Sequence, residues 1–160
     1  MALNNMKTAT ITFHAPNNNG SFLQAYALQK YITTHFDNVE NEIIDFQPES
    51  QQQQYAIFRK IHSKKDILRN LISSWHYKAL SKRFLAFSEM REKYLKMTKR
   101  CTTTEEAIKI AGNYDLVIAG SDQIWNTTAR DFSEAFFLPG ISKKSTYAVS
   151  CGSHLNEVDC

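Results

Sequence analysis

Seven consecutive residues, Gly120-Ser121-Asp122-Gln123-Ile124-Trp125-Asn126, place a hydroxyl, a carboxylate, two carboxamides and an indole directly behind an apolar run. A plain turn needs only one or two such groups. In that setting Asp122 would act as a general base toward a sugar hydroxyl, Gln123 and Asn126 would bond hydroxyls or phosphate oxygens, and Trp125 would stack on a ring. The competing structural reading has Ser121 and Asp122 capping a helix while Ile124 and Trp125 anchor it in the core. The residue types alone leave both open.

A second cluster lies near the amino end. Pro16 to Gly20 tolerate tight or left-handed backbone, and Asn18, Gly20, Ser21 and Gln24 straddle the start of a helical pattern. Gly20 would let the backbone approach a ligand, and the following helix would present a partial positive charge. Asn and Gly also fill turns that bind nothing. Cys101, Cys151 and Cys160 are odd in number, far apart and without CxxC or Cys/His spacing, so free thiols and no metal are expected.

These clusters need a scaffold, and the surrounding pattern supplies one. Thr8 to His14 alternates Ala9, Ile11 and Phe13 with threonines and reads as a strand. Ser21 to Thr34 reads as a helix with Phe22, Ala25, Leu28 and Ile32 on one face. Val39 to Phe46 is a second strand, and the β-turn-α-β order is that of a parallel sheet. Gln47 to Tyr55 reads as a polar connection. Ile57 to Tyr94 reads as two or three helices, with Ile67, Leu68, Leu71, Ile72 and Trp75 at helical spacing. A capping box at Thr103 and Glu106 opens a shorter helix ending near Gly112-Asn113. Asp115 to Ala119 is a strand buried on both faces and ended by Gly120, and Lys144 to Gly152 is a further strand candidate. The expected class is α/β, a mostly parallel Rossmann-like sheet with flanking helices. In such sheets ligands bind beyond the carboxyl ends of the strands, where both polar clusters fall.

Composition narrows the class further. The 160 residues are 42% hydrophobic and 22% charged, near the globular average, which argues against a disordered or membrane-spanning chain. The amino end lacks the apolar stretch of a secretory signal, so a cytoplasmic location is expected. Net charge is only +3, but from Arg59 to Arg100 there are 13 Lys+Arg against 3 Asp+Glu, making the segment at about 57–100 strongly basic. Its cations, among them Lys64, Lys65, Arg69, Lys82 and Arg83, suit a solvated helix face. They suit equally an anionic acceptor such as a lipid-diphosphate-linked sugar at the membrane surface. Nucleic-acid binding is not expected, because no recognised motif accompanies the charge.

Three segments in order, NNGSFLQAYALQ after a strand ending FHAPN, then YDLVIAGSDQIWN, then YAVSCGS, resemble the amino-terminal half of the polysaccharide pyruvyl transferase family over Met6 to Gly152. The chain departs from the family pattern at Asn19, Ser21 and Cys151. The resemblance implies that residues 1–160 form one Rossmann-like lobe of a two-lobed, glycosyltransferase-like (GT-B-type) architecture, with the carboxyl-terminal lobe absent and Met6 as an alternative start.

The resemblance also implies a function. A pyruvyl group would pass from phosphoenolpyruvate to two hydroxyls of a sugar in a surface polysaccharide or its precursor, forming a cyclic ketal and releasing phosphate. No cofactor is expected, and the partners would be phosphoenolpyruvate, a sugar acceptor, lipid-linked in one reading, and the missing lobe. That places the chain in cell-envelope exopolysaccharide synthesis, in the cytoplasm at the inner face of the membrane. The reaction needs a base, for which Asp122 is the candidate, and an acid, for which His14 is the candidate, although a lone strand-end histidine is more often structural. Binding would fall to Asn18, Gly20, Ser21, Gln24, Gly120, Ser121, Gln123, Trp125 and Asn126. Because the cationic clamp for the donor is not evident in these motifs, the isolated chain is expected to be inactive. The alternatives are a non-catalytic sugar- or nucleotide-binding lobe and an interaction domain that uses the basic helices.

Overall fold

The threonine-rich first strand settles at the centre of the molecule. In the structure, a computed structural model that describes residues 5–152, β1 (Met6–Ile11) pairs in parallel with β2 (Val39–Ile43) on one side and β3 (Leu116–Asp122) on the other. A fourth strand, β4 (Lys144–Val149), pairs in parallel with β3, giving the order β2-β1-β3-β4. The chain therefore forms the expected α/β class, and the sheet, expected to be mostly parallel, is parallel at every described strand pair.

Burial of β1 explains why its polar face is made of threonines. Helix α1 (Asn19–His35) covers one side of the sheet, so Thr8, Thr10 and Thr12 are as buried as Ala9 and Ile11 on the other. Each hydroxyl then finds a partner: Thr8 donates to Glu40 O at 2.9 Å, Thr10 exchanges with the Asn41 carboxamide, and Thr12 donates to Ser121 O at 2.9 Å. Threonine combines a β-branched fit to the strand with a short donor. On the opposite side Ala9 and Ile11 pack in one apolar cluster with Ala107, Ala111 and Phe136. Phe13 and Phe46 meet Phe136 edge-on, with ring centroids 5.0 and 5.7 Å away.

Between β2 and β3 the chain forms α2 (Glu49–Tyr55), α3 (Lys64–Trp75), α4 (Tyr77–Tyr94) and α5 (Thr104–Ala111). The connection expected over 47–55 is thus a helix from Glu49. Glutamines are fair helix formers, and Pro48 fits at a helix start, its carbonyl accepting from Gln52 N at 3.0 Å. The basic region holds two helices, α3 and α4. Their apolar residues are not a buried stripe: Leu68, Leu71 and Ile72 are exposed, and Trp75 is 88% exposed. The capping box at Thr103 and Glu106 is present as the spacing predicts.

Two further elements escaped the pattern. After α4 the segment from Lys96 to Cys101 runs along the outer edge of β2, with Ile43 N donating to Lys96 O and Thr98 N to Ile43 O. A short 3-10 turn, Glu134–Phe137, delivers Phe136 to the core. No described helix is long and apolar enough to cross a membrane.

Candidate functional site

Parallel pairing sends the carboxyl ends of β1 and β3 to the same edge, and α1 begins there. The expectation that Gly120 ends β3 is corrected by the structure: pairing with β4 continues through Gly120↔Tyr147 to Asp122↔Val149. Glycine makes this passage possible. At φ +138°, a Cβ on residue 120 would lie 1.9 Å from the Tyr147 carbonyl oxygen, far inside any real contact. Nor does a helix follow, so Ser121 and Asp122 are not a helix cap. Asp122 itself sits at φ 92°, a region that costs a side-chain-bearing residue about 1–3 kcal/mol.

The carboxylate so placed is held from both sides. Oδ2 of Asp122 accepts from Gln24 Nε2 at 2.6 Å and lies 3.5 Å from the Ser21 hydroxyl, while Oδ1 accepts from Gln123 N at 2.8 Å. Ser121 Oγ lies 3.4 Å from Gln24 Oε1, so one carboxamide spans both β3 residues. Ser21 and Gln24 project from the first turns of α1 because Asn18 caps that helix, its Oδ1 accepting from Gly20 N at 2.8 Å. The fold thus brings Ser21, Gln24, Ser121 and Asp122 together across about a hundred residues of sequence. Asp122 is half-buried, and Gln123 beside it is exposed.

The remaining candidates are placed differently. Trp125 turns inward: Nε1 donates to Phe136 O at 3.3 Å and its ring packs against Phe137 at 5.6 Å, so the indole anchors the loop instead of offering a stacking face at the edge. Asn126 closes a turn, its Oδ1 accepting from the Thr128 amide and hydroxyl at 3.2 and 2.7 Å. His14 lies past the end of β1 and is fully buried, Nε2 2.9 Å from Asp45 Oδ1 and Nδ1 3.2 Å from Thr12 O. A ring with no exposed surface and both nitrogens engaged does not present a proton at the open edge, so the expected acid role gives way to a structural one.

Asp45 is the hub of that buried niche. Burial pushes its carboxyl up, but the His14 hydrogen bond and charge, the Gln47 carboxamide at 2.5 Å and Arg100 at 3.2 Å outweigh it and hold the carboxyl down at about 2. The Cys101 thiol nearby is pushed up to about 11 by burial and by the Asp45 charge. Cys101 and Cys151 are both free, and Cys160 lies outside the described residues.

One contributor was missed in the sequence. Gly152, at φ +77°, backs onto Asn126 so closely that a Cβ there would lie 2.8 Å from Asn126 Nδ2. Ser150 ties the same segments, donating from N to Asp122 O at 3.0 Å and accepting from Trp125 N at 3.3 Å. The recurrence of glycine after the last strand was the available signal. Among the described residues no group of His, Cys, Asp or Glu is arranged to hold a metal.

Searches among curated proteins and among solved structures found no match. A model of the polysaccharide pyruvyl transferase family matches residues 18–158, a span that contains α1, the whole of β3 and the Asp122 cluster. On that match, covering most of its length, the chain belongs to the polysaccharide pyruvyl transferase family.

Proposed function

We propose that the chain forms the acceptor-side lobe of an enzyme that transfers pyruvate from phosphoenolpyruvate to a sugar as a cyclic ketal. The single observation that carries this reading is the Asp122 carboxylate, fixed by Gln24 and Ser21 at the carboxyl edge of a sheet whose family match spans it.

The chemistry divides into two additions at one carbon. The first sugar hydroxyl adds to C2 of phosphoenolpyruvate as the methylene takes a proton and becomes methyl. The second hydroxyl then displaces phosphate from the same carbon, closing the ketal. Each hydroxyl loses its proton, and Asp122 is the group in this lobe placed to accept one. Gln24 holds the carboxylate, Ser21 is buried behind it, and the exposed Gln123 is assigned to a neighbouring sugar hydroxyl. The acid that protonates the methylene and the cations that hold the donor are assigned to a second, facing lobe, so this lobe alone is inactive: one lobe does not bring donor and acceptor to high effective concentration.

Phosphoenolpyruvate is a cytoplasmic metabolite, which puts the reaction in the cytoplasm and, for a lipid-linked acceptor of cell-envelope exopolysaccharide, at the inner face of the membrane. The test is phosphate release from phosphoenolpyruvate with candidate acceptors, for the chain alone and for the chain fused to the carboxyl-terminal lobe of another family member. Ketal formation by the fusion and none by the chain alone is expected. Ketal formation by the chain alone would overturn the one-lobe reading.

A further inference from the structure

Four arginines of the basic segment line two adjoining clefts beside the Asn17–Gly20 turn, neither of them lined by Ser21, Gln24, Ser121 or Asp122. Arg59, Arg69 and Arg83 line a cleft of about 700 Å³ bordered by Asn18 and Asn19 at the start of α1. It adjoins a smaller cleft of about 270 Å³ lined by Arg91 and Gln51, and the two share Asn17 and Tyr55 as walls. None of these four arginines forms a salt bridge among the described residues.

Three of the four guanidinium groups are held by neutral partners that leave their charge unspent. Arg83 Nη2 donates to Asn17 O at 2.9 Å, Arg91 Nη1 to Ala15 O at 2.9 Å and Asn17 Oδ1 at 3.3 Å, and Arg59 Nη2 to Gln54 O at 2.6 Å. The carboxylates whose charge reaches these arginines have other partners. Asp66, acting on Arg69, accepts from Ser63 and the His62 amide. Of the two acting on Arg91, Asp45 is bonded to His14 and Arg100, and Glu92 lies 3.5 Å from the Ser88 hydroxyl. Asp131 accepts from Tyr55, a wall of both clefts. Arg91 is only 8% exposed, and a charge so buried is costly without a counter-charge. Three more groups are left wanting, Gln54 Oε1 in the wall of the larger cleft among them. The Gln51 carboxamide, 2% exposed, and Arg59 Nε are buried with no hydrogen-bond partner among the described residues.

We infer that the paired clefts bind a diphosphate group. Guanidinium forks match phosphate oxygens in bidentate fashion, the start of α1 adds a favourable dipole, and four unpaired cations suit an anion carrying two or more negative charges. This site is distinct from the Asp122 edge and requires no pyruvyl transfer, so its failure would leave the transfer reading standing.

The test is titration calorimetry of inorganic pyrophosphate into the full chain at physiological salt. The Arg69 side chain makes no hydrogen bond among the described residues, so R69Q should fold as wild type, and R69Q/R83Q should weaken binding at least about tenfold, the loss of one good charge-assisted contact. K64Q/K65Q removes two charges of the same segment from outside the clefts and should leave binding unchanged. Should R83Q disturb folding through its bond to Asn17, R69Q alone with wild-type melting carries the comparison. Equal weakening by the lysine pair, or no pyrophosphate binding at millimolar concentration, would overturn the site. UDP and vesicles doped with a polyprenyl diphosphate, titrated in parallel, identify whether a nucleotide or a lipid supplies the group, and gain over pyrophosphate in either arm supports it.

Discussion

Gln24 Nε2 and Asp122 Oδ2 meet at 2.6 Å, joining the first turns of α1 to the last residue of β3. The carboxamide nitrogen donates to the carboxylate, and its oxygen faces the Ser121 hydroxyl.

Gln24→Glu should turn that contact into repulsion. Two carboxylates at this distance cannot both ionise freely, so the pair retains a proton in the folded state at a pH where the unfolded chain has lost it. The folded form then binds more protons between the unfolded value near 4 and the raised folded value, and relative stability falls as pH rises across that window. Urea unfolding should find the variant destabilised by on the order of 1 kcal/mol at pH 8 and close to wild type at pH 4.

Two glycines with positive φ should respond very differently to alanine. Gly120→Ala drives a Cβ into the Tyr147 carbonyl, separating β3 from β4, and should cost more than about 4 kcal/mol. Gly140→Ala, at φ +74° with nothing within 4 Å, carries only the left-handed penalty of about 1–2 kcal/mol. Melting temperatures of the two variants check the contrast.

The Asp45 niche should set part of the acid stability. Its carboxyl is held at about 2 when folded, against 3.8 as the ordinary value, so its contribution of about 2 kcal/mol is present above pH 4 and lost as pH falls toward 2. Asp45→Asn should therefore be clearly less stable than wild type at pH 7. The gap should narrow on acidification, read by urea midpoints from pH 7 to pH 3.

Cys101 should resist alkylation in the native chain. Burial and the Asp45 charge keep its thiol protonated at pH 8, and only the thiolate reacts. Peptide mapping after brief iodoacetamide treatment should show Cys151 modified and Cys101 spared until denaturant is added.

Much of this fold is written in local pattern. The β-branched run at Thr8, the capping box at Thr103 and the apolar stretch Leu116–Ala119 each specify an element without help from distant residues. The extension of β3 to Asp122 is not of that kind, because it depends on a glycine fitting against Tyr147, a contact between segments far apart in sequence. The same applies to the edge segment after α4, whose pairing is set by β2 and not by its own residues. In the site, the residue types at Ser21, Gln24 and Asp122 signalled chemistry, but the burial of His14 and the inward turn of Trp125 are decided by Asp45 and Phe136.

The most direct test of the account is Asp122→Asn in the two-lobed fusion, assayed for phosphate release and for thermal unfolding on one sample. Asn tolerates a positive φ, keeps the bond from Gln123 N, and can trade partners with Gln24 if that carboxamide turns over. Shape and stability should thus persist while proton acceptance is lost. Turnover should fall by roughly 10²–10⁴ with unchanged melting if Asp122 is the base; wild-type turnover in the variant would show that it is not.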